Sequence, residues 1–204
     1  MSYHHGDLRR EMVAAAAAAI AEQGPAGLSL RELARRAGVS HAAPAHHFGN
    51  KTGVLTAVAT EGYTLLAAAL DKAAPDGAAH GRQADDALLA AGLAYVGFAV
   101  GHPGHFAVMF DRLLLHDDAG LRAAEEKSAA ALARVASDPE AGRAAWSVAH
   151  GFASLWLSGA ISGPDAVAAA EPVLRRAAIT GGPGAAGVSQ PGGTPGTPSL
   201  PAPT

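Results

Sequence analysis

Three imidazoles and a cluster of cations fall close together near the start of this 204-residue chain. His41, His46 and His47 are interleaved with small Ala42 and Ala45, and Lys51 follows them. Arg31, Arg35 and Arg36 lie just ahead. Imidazole, guanidinium and ammonium groups donate hydrogen bonds, and small residues between them let a backbone approach its partner closely. The chemistry on offer is recognition of phosphate oxygens and base edges. A second set lies later. Trp146 and His150 stand one helical turn apart, on one face. Tyr95, Phe98, Phe106, Met109 and Phe110 add large apolar groups, and His102 adds a polar one. Together they suit the walls and polar points of a small-molecule cavity. Bond-making chemistry finds little material. The chain has no cysteine, which excludes disulfides, thiolate catalysis and Cys-based zinc sites. It shows no phosphate loop and no paired-carboxylate site. We therefore expect no catalytic residue, no metal and no cofactor.

The first set needs a scaffold, and residues 29–51 encode one. Ser29 is a good N-cap, and Glu32 three residues on completes a capping box. Leu30, Leu33, Ala34 and Ala37 then recur at helical spacing. Gly38 stops that helix, because glycine accepts a left-handed C-cap without steric cost. Val39 plugs the space between two helices. Ser40 is expected to cap a second short helix from His41 to Phe48, with Pro44 near its start. Gly49 ends it and Asn50 caps the next helix, with Lys51 in its first turn. Two short helices joined by a glycine-containing turn form a helix-turn-helix, whose second helix fits the DNA major groove. The same pattern also occurs in helical proteins that never meet DNA.

These residues resemble the DNA-binding domain of the TetR family of transcriptional repressors. The match lies in LSLRELARRAGVS (Leu28 to Ser40), HHFGNK (His46 to Lys51), Val54–Leu55, and the preceding helix GDLRREMVAAAAAAIAEQG. One position departs from it: the family often has a backbone-contacting aromatic where this chain has Ala45. The resemblance implies double-stranded operator DNA as partner, with Ser29, Ser40, His41, Ala42, Ala45, His46, His47 and Lys51 at the interface. Trp146, His150 and Gly151 also resemble a WHG signature in the C-terminal domain of one TetR subgroup. That implies a homodimer built on the last two helices, a small-molecule effector, and a cytoplasmic location.

Charge follows the same division. Residues 1–55 hold six basic and four acidic side chains, a net of +2; the remainder holds nine basic and fourteen acidic, a net of −5. A basic end on an acidic body suits a chain that meets phosphate at one end. The expected organisation is a DNA-binding domain at 1–55, an effector-binding and dimerisation domain at 56–179, and a disordered Gly/Pro-rich tail at 180–204. Alanine-rich segments without period-two alternation make the fold all-α, a three-helix reader joined to a helical bundle. Residues 1–6 read as a loose arm. Helices are expected from Asp7 to Gln23, with Gly24-Pro25 as the stop, and from Lys51 to Ala73, with Pro75-Asp76-Gly77 as a turn. Further helices are expected from Ala87 to Val100, Phe106 to Leu115, Leu121 to Ala136, Glu140 to Ile161 and Pro164 to Ile179.

Two stretches mimic targeting signals. Arg9-Arg10 precedes an apolar run, but the run leads straight into the helix-turn-helix. Residues 144–164 carry no formal charge, yet include His150, Ser147, Ser154, Ser158 and three glycines, which suits a buried helix better than a membrane span. A metal-binding protein or hydrolase is the alternative reading. His102, His105 and His116-Asp117-Asp118 would supply its ligands, although their spacing fits no defined metal motif.

Overall fold

The computed structural model describes residues 5–74, 82–136 and 138–180. Among them all regular structure is helical. The order is α1 (His5–Gly27), α2 (Leu30–Arg36), α3 (Ala43–Phe48), α4 (Lys51–Ala73), α5 (Arg82–Gly101) and α6 (Pro103–Met109). A 3₁₀ turn (Arg112–Leu114), α7 (Ala119–Val135), α8 (Pro139–Leu157) and α9 (Ala166–Thr180) complete it. The 1–4 part of the expected arm, the Pro75-Asp76-Gly77 turn and the 181–204 part of the tail lie outside the described residues.

Helix α1 begins at His5, two residues before the expected start. Its regular run breaks at Gly24, at φ 73°, where the Gly24-Pro25 stop was expected. Met12, Ala16, Ile20 and Leu28 are fully or almost fully buried, as are Leu33 and Ala34 of α2, which packs on α1. Burying each large side chain contributes about 1.5–3 kcal/mol, which holds the short α2 helix where its own seven residues could not.

Helix α4 joins reader and body. It packs on α1 at one end and along α5, α6 and α7 over the rest. Val54, Leu55, Val58, Tyr63, Leu66 and Leu70 are buried. Thr56, Thr60 and Thr64 each return their hydroxyl to the carbonyl four residues back, which lets Thr56 sit in the core. By length and composition, α4 and residues Ala84–Gly101 could each cross a membrane; here α4 is the central helix of the bundle. The 55/56 boundary falls inside α4, so the two expected domains share a continuous helix.

Several body elements shift from expectation. Helix α5 starts at Arg82, and α6 starts at Pro103 and ends at Met109, well short of Leu115. Pro103 opens α6 because a first-turn position needs no N–H. Beyond it, Asp111 Oδ1 accepts the Leu113 N–H and turns the chain into the 3₁₀ segment. Helix α8 ends at Leu157, not Ile161, with Gly159 at φ 76°. Helix α9 starts at Ala166, its first turn capped by Asp165 Oδ1 on the Ala168 N–H.

Candidate nucleic-acid interface and body cavity

The reader is built by local caps. Ser29 Oγ accepts the Glu32 N–H at 3.2 Å, opening α2. The expected capping box is only half made, because both Glu32 oxygens accept from Arg35 and Arg36. Arg36 also reaches Glu22 on α1 at 2.7 Å, tying α1 to α2. Hydrogen bonds from Arg35 and Arg36 hold Glu32 down to about 2. At the other end Gly38 takes φ 65°. Gly38 N–H then bonds Arg35 O, and Val39 N–H bonds Ala34 O. That pair of bonds is a Schellman motif, and it aims the chain at α3.

Helix α3 starts later than the sequence suggested. Its N-cap is Ala42, with no side-chain cap bond, and Ser40 lies in the preceding turn, its carbonyl accepting the Ala43 N–H. Pro44 explains the difference. A cap at Ser40 would place Pro44 where the helix needs an N–H; a start at Ala43 puts it in the first turn. Pro44 is buried beneath the helix. Ser40, His41, Ala42, Ala45 and His46 are exposed, as is Ser29, whereas His47 and Lys51 are half-buried. The rings of His46 and His47 meet edge-on at 5.5 Å. Lys51 Nζ donates to Ala26 O at 2.8 Å, so in this state it ties α4 to the end of α1. His47 faces a cleft of about 620 Å³ with Arg9, Phe48, Glu61 and His116. There Arg9 lies over the Phe48 ring, 4.9 Å from its centroid.

The body holds a cavity of about 800 Å³ between α4, α5, α7 and α8. Tyr95, Met109, Phe110, Trp146 and His150 line it, as the sequence suggested. His150 sits at the centre of an aromatic cluster, 4.7 Å from Phe110 and 5.2 Å from Phe106 between ring centroids. Trp146 Nε1 donates to Tyr95 Oη at 3.3 Å, and Tyr95 Oη lies 2.9 Å from His150 Nδ1. With Oη already accepting from tryptophan, the simplest proton assignment has the Tyr95 hydroxyl donating to His150. Burial pushes the Tyr95 phenol up and the His150 imidazole down, so both are neutral near pH 7.

Three expected pocket residues, Phe98, His102 and Phe106, are not on the cavity wall, although Phe106 packs on His150 from behind it. Phe98 is buried and packs on His102, 5.3 Å between rings, and both lie outside the lining. They belong instead to the joint between α5 and α6, where His102 meets His105. His105 Nε2 lies 2.9 Å from Glu61 Oε2 of α4. Sequence reasoning also missed wall residues from α4 and α7, among them Tyr63, Leu66, Glu125 and Ser128. Their helical pattern showed burial but not which helix they would face. Of the alternative metal ligands, His116 Nε2 is 3.2 Å from Asn50 Oδ1 and Asp118 caps α7. Among the described residues no group of three His, Cys, Asp or Glu could hold a metal ion.

Two short helices joined by a glycine turn, the second exposed, ahead of a helical body with its own cavity, define a helix-turn-helix protein. Residues 12–58 match the family model for bacterial regulatory proteins of the tetR family, and residues 88–177 match the tetracyclin repressor-like C-terminal domain. The chain belongs to the TetR family and is a DNA-binding transcriptional regulator. A solved structure of a protein of unknown function from Rhodococcus sp. RHA1 is 33% identical, with TM-score 0.66, over 86% of this chain and 97% of that one. The fold is shared at lower identity. A tetR-family bacterial regulatory protein from Rhodococcus RHA1 is 21% identical (TM-score 0.66, 84% and 95% covered). FadR from Bacillus subtilis, in complex with stearoyl-CoA, is 17% identical (TM-score 0.64, 83% and 97% covered). No curated protein sequence matches the chain.

Proposed function

We propose that the protein is a cytoplasmic, ligand-responsive repressor that binds a palindromic operator as a homodimer, and not an enzyme. The observation that carries this reading is the exposed surface of α3 and the turn before it, where His41, Ala42, Ala45 and His46 stand clear of the core on a segment fixed by Pro44, Gly38 and Asn50. In this reading residues 1–55 read DNA, and 56–179 bind the effector and the second subunit. His41, Ala42 and His46 meet base edges. Ser29, Ser40 and Lys51 meet phosphates, Lys51 by exchanging Ala26 O for a phosphate oxygen. Ala45 and His47 border that contact.

The dimer rests on exposed apolar groups of the last two helices. Leu155 is 50% exposed, Leu157 38%, Val167 36% and Val173 44%. Covering such a patch with its own copy gives a two-fold axis, which a palindromic operator matches, with half-sites one helical turn apart. The cavity supports ligand response. An effector that favours a body conformation misplacing the two α3 helices lowers DNA affinity by its differential binding to the two states. A solved regulator of the same fold, the B. subtilis FadR, holds stearoyl-CoA.

Fluorescence anisotropy tests the reading, with DNA from upstream of the protein's own gene against a scrambled duplex at physiological salt. Tight binding to the native fragment alone supports a specific regulator. Equal, weak binding to both, with no enriched sequence from a random DNA pool, overturns it.

A further inference from the structure

Most polar groups on the cavity wall are spent within the protein. Tyr63 Oη donates to Met109 O at 2.7 Å, and Ser128 Oγ donates to Glu125 O at 2.9 Å. Arg112 Nη2 donates to Glu125 Oε2, and Asp138 Oδ1 caps α8. Trp146 Nε1 donates to Tyr95 Oη, whose own proton goes to His150 Nδ1. His150 Nε2 is different. It has no hydrogen-bond partner among the described residues, and it keeps accessible surface on a half-buried ring that lines the cavity. Glu125 Oε1 also lacks a partner, but it is sealed from solvent.

The order of donors decides what Nε2 offers. A neutral imidazole holds one proton, and with Nδ1 accepting from Tyr95 that proton sits on Nε2. Burial keeps the ring neutral near pH 7. The Trp146–Tyr95–His150 chain therefore ends at the cavity in an uncharged N–H donor. Charges on the wall balance, Arg112 and Arg143 against Glu125 and Asp138. Both arginines are mostly exposed, at 69% and 67%, so water screens them. A charged ligand head would lose its hydration there without a buried partner to offset the loss. Leu66, Leu70, Phe110 and Leu132 make much of the remaining wall apolar.

We propose that this cavity binds a neutral carbonyl compound, a ketone or ester on an apolar aryl or alkyl body, its carbonyl oxygen accepting from His150 Nε2–H. The proposal rests on the cavity being the effector site and names the class of effector.

Isothermal titration of the full chain into butyrophenone, butylbenzene, 4-butylaniline and 4-phenylbutyrate, near pH 7 and without DNA, tests it. Butyrophenone should bind about fivefold tighter than butylbenzene, its isostere without the oxygen. It should also bind tighter than the aniline, which offers a donor in place of an acceptor, and the butyrate, which brings a charge. In His150→Phe the ketone falls to the level of the hydrocarbon, whose own affinity holds, with folding checked by circular dichroism. Nitrogen NMR of histidine-labelled protein should place the His150 proton on Nε2, with a resonance that moves on adding the ketone and not the hydrocarbon. That spectrum and the wild-type ranking decide if the variant does not fold. A hydrocarbon, aniline or carboxylate as tight as the ketone overturns the ligand class and leaves the cavity reading standing. So does a proton on Nδ1, or a Phe variant that keeps the ketone preference. No binding of any probe overturns both. Operator binding enters none of these outcomes.

Discussion

His116 Nε2 stands 3.2 Å from Asn50 Oδ1, so the loop ahead of α7 is hydrogen-bonded to the residue that caps α4. The same loop is fixed a second time, by the His116 N–H on Thr56 Oγ1 at 2.9 Å. Helix α7 forms one wall of the cavity, and α4 carries the reader at its start. The two bonds therefore connect the cavity wall to the reader through one residue of the chain.

That link predicts how coupling fails. His116→Ala removes the side-chain bond, keeps the backbone bond, and costs about 0.5–1 kcal/mol of stability. Asn50→Ala also removes the α4 cap and costs about 1 kcal/mol more. A double-mutant cycle by urea denaturation should show the two effects to be non-additive. Free operator affinity should change little in His116→Ala, while effector-induced release weakens. Full release in that variant would place the coupling elsewhere.

The α6–α1 contact gives a stability prediction. A Cβ on Gly104 would lie 1.9 Å from Ala17 O, a backbone atom that cannot rotate away. Gly104→Ala must push α6 off α1, at a cost of about 3 kcal/mol. Calorimetry should then show Tm lowered by roughly 6–12 °C. Gly101→Ala, where a Cβ meets nothing within 4 Å, is the control and should stay within about 1 kcal/mol of wild type.

How much of this was legible beforehand depends on range. Ser29, Gly38 and Asn50 announced themselves because a cap acts within three or four residues, which sequence displays directly. Ser40 and the start of α6 were misread where two local signals competed and proline, which has no N–H to give, decided. Trp146, Tyr95 and His150 were legible as a set because their size and polarity suit a cavity. Tyr63 and Glu125 were not, since their role comes from α4 and α7 meeting α8 across the bundle. Phe98 and His102 failed for the same reason: the face of α5 that turns to the cavity is set by its packing, not by its composition.

Acid should destabilise the body. Burial holds His150 below its ordinary value of 6.5, and burial with the neighbouring His105 does the same for His102, against the opposing pull of Glu61. The unfolded chain therefore binds protons that the folded chain does not, once pH falls below 6.5. Stability is unaffected by these groups above that value and declines as pH falls through it. His150→Gln keeps a hydrogen-bond partner for Tyr95 but cannot titrate. Its urea midpoint should fall less steeply than wild type between about pH 7 and pH 5. Parallel profiles would remove His150 as a source of the decline.

The proposed subunit interface predicts that Leu155→Arg yields a monomer. Leu155 is half exposed on α8, so the substitution disturbs little packing within one subunit. Light scattering at micromolar concentration should shift from dimer to monomer with an unchanged far-ultraviolet spectrum. Operator affinity should fall with it, because each half-site would then be bound alone. A dimer that survives the charge would move the interface off this face.

Lys51 and His46 should separate position from sequence on DNA. Lys51 donates to Ala26 O here, and the proposed reading has it exchange that bond for a phosphate. Lys51→Ala should weaken binding about equally for all sequences and reduce the salt slope by roughly one unit. An unchanged slope would make Lys51 a clamp between α1 and α4 and nothing more. His46 is exposed on the outer face of α3. His46→Ala should change the ranking of operator variants rather than lower every affinity alike, because a base contact distinguishes sequences and a phosphate contact does not. A uniform loss across a panel of single-base operator variants would move His46 onto the backbone and leave His41 and Ala42 as the remaining base-facing residues.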